Sequence, residues 1–285
     1  MKQSTSAVRQ TDEFDVPVGG LPQSGWMQLT ERGHIEGASA EVRFLSEEND
    51  LPQDVATAVW RTLGGSALYP VLEPASMQAH SVTLTSTGSQ TVSDIASGWR
   101  LASADGRTSL LLFPALIALQ TRDYLGYSSG LGDRLQATLT AFSAAKDSTI
   151  VSRIGLRYIN RFTDPDAAEP AFWRSRIRPA FAGAFGDEIL AARVAAVHQQ
   201  LELRLDHVVA ARLISGTVEQ EDGANGRFGF MIDIDVFREE AIPFDVATVC
   251  NLTRQLNRTA LSLFTRVLTE DSQTALGPIR QAAEA

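Results

Sequence analysis

The stretch VSRIGLRYINRF, residues 151–162, decides how the chain is read. It alternates as a strand does, yet it carries three arginines and an asparagine. Successive strand side chains point to opposite faces. One face then holds Ile154, Leu156, Tyr158, Asn160 and Phe162; the other holds Val151, Arg153, Gly155, Arg157, Ile159 and Arg161. The arginines fall on one stripe, with Gly155 inside it. A glycine within a strand marks a bulge or a close approach of backbone.

A second stretch matches the first. In FGFMIDIDVF, residues 228–237, one face holds Phe228, Phe230, Ile232, Ile234 and Val236. The other holds Gly229, Met231, Asp233, Asp235 and Phe237. An acidic pair at a two-residue step thus matches a basic trio at four-residue steps, each set on a single strand face. If the strands are neighbours, Arg153 or Arg157 forks onto Asp233 or Asp235, and the pairs fix register. The alternative is an arginine-lined face that binds an anionic ligand, held by Arg153, Arg157 and Tyr158, or an acidic partner segment. Asn160 and Arg161 complete the candidate set.

Around these strands the pattern is one of hairpins and amphipathic helices. SAEVRFL (39–45) alternates as a strand. DLPQDVATAVWRTLGG has Asp50 to cap, Pro52 for a first turn, and Gly64 to close a helix. Residues 80–87 read as a strand. Residues 98–113 read as a hairpin turning at Asp105–Gly106. Residues 115–124 read as a strand, and SSGLGDRLQATLTAFSAAKD as a helix with Leu131, Leu135, Leu139 and Phe142 on one side. AFWRSRIRPAF predicts a short helix that Pro179 ends. Residues 197–205 and 207–219 predict strands, the second joined to 227–237 by the glycine-rich EDGANG. Residues 244–270 give the clearest helix, with Val249, Leu252, Leu256, Ala260, Leu263, Phe264 and Val267 at three- and four-residue steps.

Strands in hairpins, without a regular βαβα alternation, predict an α+β fold. Its sheet is largely antiparallel, with helices packed on one face and a long C-terminal helix. Residues 1–32 read as a flexible lead-in, with Trp26 a candidate anchor. Residues 33–278 read as one domain, with two similar halves joined near 162–175 as an open variant. Residues 279–285 read as a tail.

Composition narrows the function classes. The 285 residues include 44% hydrophobic and 21% charged, with a net charge of −9. That charge disfavours binding nucleic acid over the whole surface. No apolar run is long enough to span a membrane, and the N-terminus lacks a secretory core, so the expected location is cytoplasmic. The single cysteine, Cys250, offers neither a disulfide nor a metal pair and reads as a core residue. His34, His80, His198 and His207 show no metal-ligand spacing, so no metal and no cofactor are expected. His198 and Glu202 are a weak general-base candidate. SGLGD (129–133) opens a helix but lacks a full phosphate-loop pattern.

SRIGLRYINRF, GWRLASADGRTSLLLFPALIALQTRDY and GFMIDIDVF…PFDV together resemble a sporadically distributed bacterial family of uncharacterised proteins. That family carries a central arginine–isoleucine/leucine–glycine–leucine–arginine–tyrosine–isoleucine–asparagine signature. The resemblance spans roughly residues 35–278. It implies no catalytic residue, and its patchy occurrence implies a defence-associated gene. The expected function is a non-enzymatic interaction protein of a bacterial defence or toxin–antidote type locus, with a protein partner. Two alternatives stand beside it: a binder or enzyme acting on a small anionic ligand through the arginine face, and an RNA- or DNA-binding protein.

Overall fold

The computed structural model describes residues 34–85, 88–148, 150–164, 166–191, 193–219 and 228–275. The expected lead-in with Trp26, the EDGANG turn and the tail lie outside the described residues.

The chain runs β1 (His34–Phe44), α1 (Gln53–Thr62), β2 (Val71–Thr85), β3 (Gly88–Ala102), β4 (Thr108–Phe113), β5 (Leu116–Thr121), α2 (Gly132–Ala145) and β6 (Ile150–Phe162). Two short helices follow, α3 (Pro179–Ala182) and α4 (Glu188–Ala191). The chain then forms β7 (His198–Arg204), β8 (Val209–Glu219), β9 (Phe228–Pro243), α5 (Val246–Val267) and α6 (Glu270–Ala275). Among the described residues the nine strands form one sheet in the order β2-β3-β4-β5-β1-β6-β9-β8-β7. Every neighbouring pair is antiparallel. The fold is α+β.

The connectivity repeats. β1 starts at the sheet centre, the chain crosses through α1 to one edge, and the meander β2 to β5 returns beside β1 before α2. β6 starts beside β1, the chain crosses through α3 and α4 to the other edge, and β7 to β9 returns beside β6 before α5. The changeover lies at 146–150, between α2 and β6. Residues 162–175, where a joint was expected, fall inside the second crossover.

One sheet face is covered by the helices. Alternation places Ala38, Ala40 and Val42, then Ile154, Leu156 and Tyr158, then Ile232, Ile234 and Val236 on it, and all are buried. Helix α5 lays Val249, Thr253, Leu256, Ala260, Leu263, Phe264 and Val267 against this face, while Leu252 stays partly exposed. Phe264 stacks on Phe162 of β6 with ring centroids 6.0 Å apart. Leu131, Leu135, Leu139 and Phe142 are buried likewise, and Phe142 stacks on Phe44 of β1. Burial of each such leucine contributes about 1.5–3 kcal/mol relative to exposure.

Several local expectations change. Asp50 does not cap α1; it bridges to Ser97 of β3, and Pro52 stands directly before the helix. Pro179 does not end a helix but begins α3, because its missing N–H costs nothing in a first turn. The segment before it is a 3₁₀ helix, Pro170–Ser175. β2 starts at Val71, well before residue 80, and tolerates Pro74 because it is an edge strand. Val151 does not join the arginine face. The register of β6 shifts between Val151 and Arg153 against β9, and Val151 is fully buried. Other signals act as read. Gly106 takes φ +68 in the β3–β4 turn, and Gly64 takes φ +97 just after α1. The structure adds a cap that the sequence reading did not name: Asp245 Oδ2 accepts the Thr248 N–H at 2.7 Å at the start of α5.

Leu256 is 3% exposed on the face of α5 that meets the sheet. Leu256→Ala is expected to cost about 2–5 kcal/mol, read by urea denaturation. A change near zero would mean that α5 does not hold the sheet.

Candidate functional site

The face opposite the helices carries the arginine stripe. On the central strands it presents Glu41 and Arg43 of β1, Arg153, Gly155, Arg157 and Arg161 of β6, and Asp233, Asp235 and Phe237 of β9. Arg212 of β8 lies opposite Asp235, and Glu202 of β7 lies opposite Arg212. Antiparallel register brings these charges together; none of the pairs is local in sequence except Arg43 with Glu41.

Arg157 makes the strongest contact. Its Nε–H donates to Asp233 Oδ1 at 2.8 Å and its Nη2–H to Oδ2 at 2.5 Å. Asp235 is the residue directly opposite Arg157, so the fork leans diagonally toward Asp233. The Asp233 side chain is 6% exposed and the Arg157 side chain 48%. The bond to Asp233 raises the Arg157 pKa further above its ordinary value. A charged hydrogen bond with both nitrogens engaged is stronger and more directional than a single one.

Arg153 serves a wider group. It donates Nη1–H to Glu41 Oε1 at 2.6 Å and Nη2–H to Asp235 Oδ2 at 3.3 Å, with Glu239 at 3.5 Å. Its guanidinium lies 4.5 Å from the centroid of the Phe237 ring. Gly155 explains itself here. Phe237 is its partner across the ladder, and a Cβ on Gly155 would sit 2.8 Å from Arg153 Nη1. The glycine is the slot in which the Arg153 head lies. Burial raises the Asp235 pKa, and Glu41 adds to this, against the pull of Arg153, Arg157 and Arg212.

The rest of the candidate set separates. Arg161 keeps to the stripe but turns Nη2–H to the Glu219 carbonyl at 2.7 Å, with Glu36 at 3.8 Å. Tyr158 and Asn160 cannot join the arginines, because alternation turns them to the helix-covered face. Tyr158 is fully buried and donates its hydroxyl to Asn257 Oδ1 of α5 at 2.8 Å. Burial foremost, and then Tyr124 beside it, push its pKa well above the ordinary phenol range. Asn160 is buried and donates Nδ2–H to the Ile232 carbonyl at 3.3 Å. An anion held by Arg153, Arg157 and Tyr158 together is therefore ruled out by geometry.

The weaker candidates find local roles. Glu202 accepts from Arg212 Nε at 2.7 Å and Gln200 Nε2 at 2.9 Å, and the arginine lowers its pKa. At SGLGD, the Leu131 N–H donates back to Gly126, and a Cβ on Gly132 would sit 2.9 Å from the Tyr127 carbonyl oxygen. That glycine serves close packing. Cys250 is buried, which pushes its thiol pKa up. Among the described residues no group of three His, Cys, Asp or Glu side chains is placed to hold a metal, and no helix is long and apolar enough to cross a membrane.

Glu41 was missed as a member of the site. Its signal was present: SAEVRFL places Glu41 and Arg43 on one strand face, opposite in pattern to Val42 and Phe44. No family model, no curated protein and no solved structure matches this chain.

Two outcomes follow from the ladder. Arg157→Met leaves the nearly buried Asp233 carboxylate without its fork. It is expected to cost about 1–3 kcal/mol, discounted because Arg157 is half exposed. Arg157→Met/Asp233→Asn is expected to recover part of that loss in a double-mutant cycle; equal stability of the single and double variants would mean the pair does not set register. Gly155→Ala displaces the Arg153 head and is expected to cost about 1–2 kcal/mol. In an Arg153→Met background the same alanine is expected to be close to neutral. An unchanged penalty there would remove the slot explanation.

Proposed function

We propose that this chain is a non-enzymatic interaction protein, and that it binds a protein partner on the charged half of the sheet face opposite the helices. The observation that supports this reading is the fork of Arg157 on Asp233, with both carboxylate oxygens engaged. A phosphate or a ligand carboxylate would have to displace a nearly buried aspartate to take that guanidinium. Arg153 is engaged by Glu41 and Asp235, and Arg212 makes a single bond to the half-exposed Glu202. The stripe is thus a poor trap for a small anion or a nucleic-acid backbone. The net charge of −9 weighs in the same direction.

What remains suits a protein surface. Arg157, Arg212 and Glu202 are each about half exposed, with side-chain exposures of 48%, 47% and 54%. With Asp235 of β9 lying between Arg157 and Arg212, the signs alternate across β6, β9, β8 and β7, and the ion pairs hold the charges in place. Ordered charges of mixed sign confer specificity and orient an encounter more than they add affinity. Within this proposal the partner belongs to a bacterial defence or toxin–antidote type locus, as the family resemblance implies, and the pair acts in the cytoplasm.

The test reverses the mosaic while keeping its ion pair. Arg212→Glu/Glu202→Arg swaps the two charges between β8 and β7. The tagged full chain and the swap are purified at native expression level from the source cells, and co-purifying proteins, nucleic acid and small molecules are identified by mass spectrometry. The expected result is one protein partner with the wild type, reduced at least tenfold with the swap at unchanged melting temperature. Arg258→Glu on the exposed side of α5 serves as the control that retains the partner. Retention of the partner by the swap, or recovery of nucleic acid or a small anion in its place, would overturn the reading.

A further inference from the structure

The β2–β3 ribbon outruns the rest of the sheet. β4 pairs with β3 only from Trp99 to Ala102. The segment Asn49–Leu51 adds bonds at Ser97, whose N–H donates to the Asn49 carbonyl at 2.7 Å and whose carbonyl accepts from Leu51 N–H at 3.0 Å. Beyond that point Ala79–Thr85 and Gly88–Asp94 pair with each other alone among the described residues. The ribbon extends about 20 Å at strand rise. A two-stranded ribbon with no further neighbour is marginal in water.

Ser97 also fixes which backbone groups point outward. Its N–H and C=O go to Asn49–Leu51, on the side away from β2. Ser76 opposite Ser97 is therefore a non-hydrogen-bonded position of the β2–β3 ladder. By alternation Ser76, Gln78, His80, Val82 and Leu84 direct their N–H and C=O groups to the outer edge.

Edge strands are normally blunted by shortness, charge or proline. β7, the opposite edge, is seven residues long and carries Glu202 and Arg204. The root of β2 carries Glu73 and Pro74, the latter at an outward position. The distal part of the edge strand, residues 77–85, has neither charge nor proline. Over residues 77–96 the only charged residue is Asp94, on β3, and the stretch is rich in threonine, serine and valine.

We propose that β2 pairs antiparallel with β2 of a second copy of this chain, about a two-fold axis at Ser81. His80 then lies opposite Val82 of the second copy, Gln78 opposite Leu84, and the sheet continues across the axis. A second copy is the occupant that fits, for two reasons. An antiparallel strand pairing with itself is an isologous contact that closes after one partner. Residues 77–85 contain no charge, so self-pairing sets no like charges opposite one another. Main-chain bonds supply the affinity, as in strand addition generally. This proposal is independent of the charged face.

The test is sedimentation velocity of the full chain over a range of concentrations. Val82→Pro deletes an outward N–H at the middle of the edge while leaving the β2–β3 ladder bonds in place. Val82→Lys, a second variant, places a charge beside the axis in both copies. The wild type is expected to sediment at twice 30.9 kDa. Both variants are expected to sediment as monomers, or with a dissociation constant raised at least tenfold, at unchanged far-ultraviolet circular dichroism. A wild type that stays monomeric at every concentration, or a folded variant that dimerises with undiminished affinity, would overturn the proposal.

Discussion

The register of β6 against β9 is the constraint on which the rest depends. Side chains alternate along both strands, so a slip of β6 by one residue would turn Arg153 and Arg157 into the helix-packed core and take them from Asp233 and Asp235 of β9. It would also expose Leu156 and Tyr158. Two independent sets of contacts oppose that slip. On one face Phe162, Tyr158 and their neighbours meet α5, with Phe264 on Phe162 and Asn257 on the Tyr158 hydroxyl. On the other face Arg157 is forked by Asp233 and Arg153 reaches Asp235. The apolar face supplies most of the stabilisation, because ion pairs at partly exposed positions contribute little. The charged face contributes specificity, because a carboxylate as buried as Asp233 is costly in any register that removes its arginine.

This division of labour bears on function. A stripe of arginines suggests anion binding only while the guanidiniums are free. Here Arg153 spans β1, β6 and β9 by holding Glu41 and Asp235 at once and resting over Phe237. The same residue cannot serve as an open ligand clamp without releasing three strands' worth of contacts. The face is better suited to presenting fixed charges than to capturing mobile ones, and the proposal of a protein partner rests on that.

The phenol cluster on the other face shows how alternation sorts residue types that sit side by side in sequence. Arg157 and Tyr158 are adjacent in the chain, yet one meets solvent and the other is fully buried. Tyr158 is satisfied by Asn257 and lies 5.3 Å, edge to face, from the Tyr124 ring. Its place in the central motif is explained by packing of α5 on β6. Tyrosine supplies a large apolar body there and a hydroxyl that a helix amide can satisfy.

The alternation of 151–162 and 228–237, the Asp105–Gly106 turn and the period of the C-terminal helix were legible because each is a local pattern with a local cause. Together they determined the α+β class, the two faces of each strand and the complementary charges. What they could not determine was which strands are neighbours. That is decided by long-range pairing, and it placed β1 beside β6, so Glu41 became the first partner of Arg153. It also decided the bulge that buries Val151, because a bulge depends on the opposing strands and leaves the bulged strand's own sequence unmarked. The role of Gly155 belongs to the tertiary structure as well: alternation marked a close approach, but only the folded sheet shows that an arginine head two residues away fills the space. Sequence sets the period with which side chains leave the backbone; burial and pairing across the sheet set what each one meets.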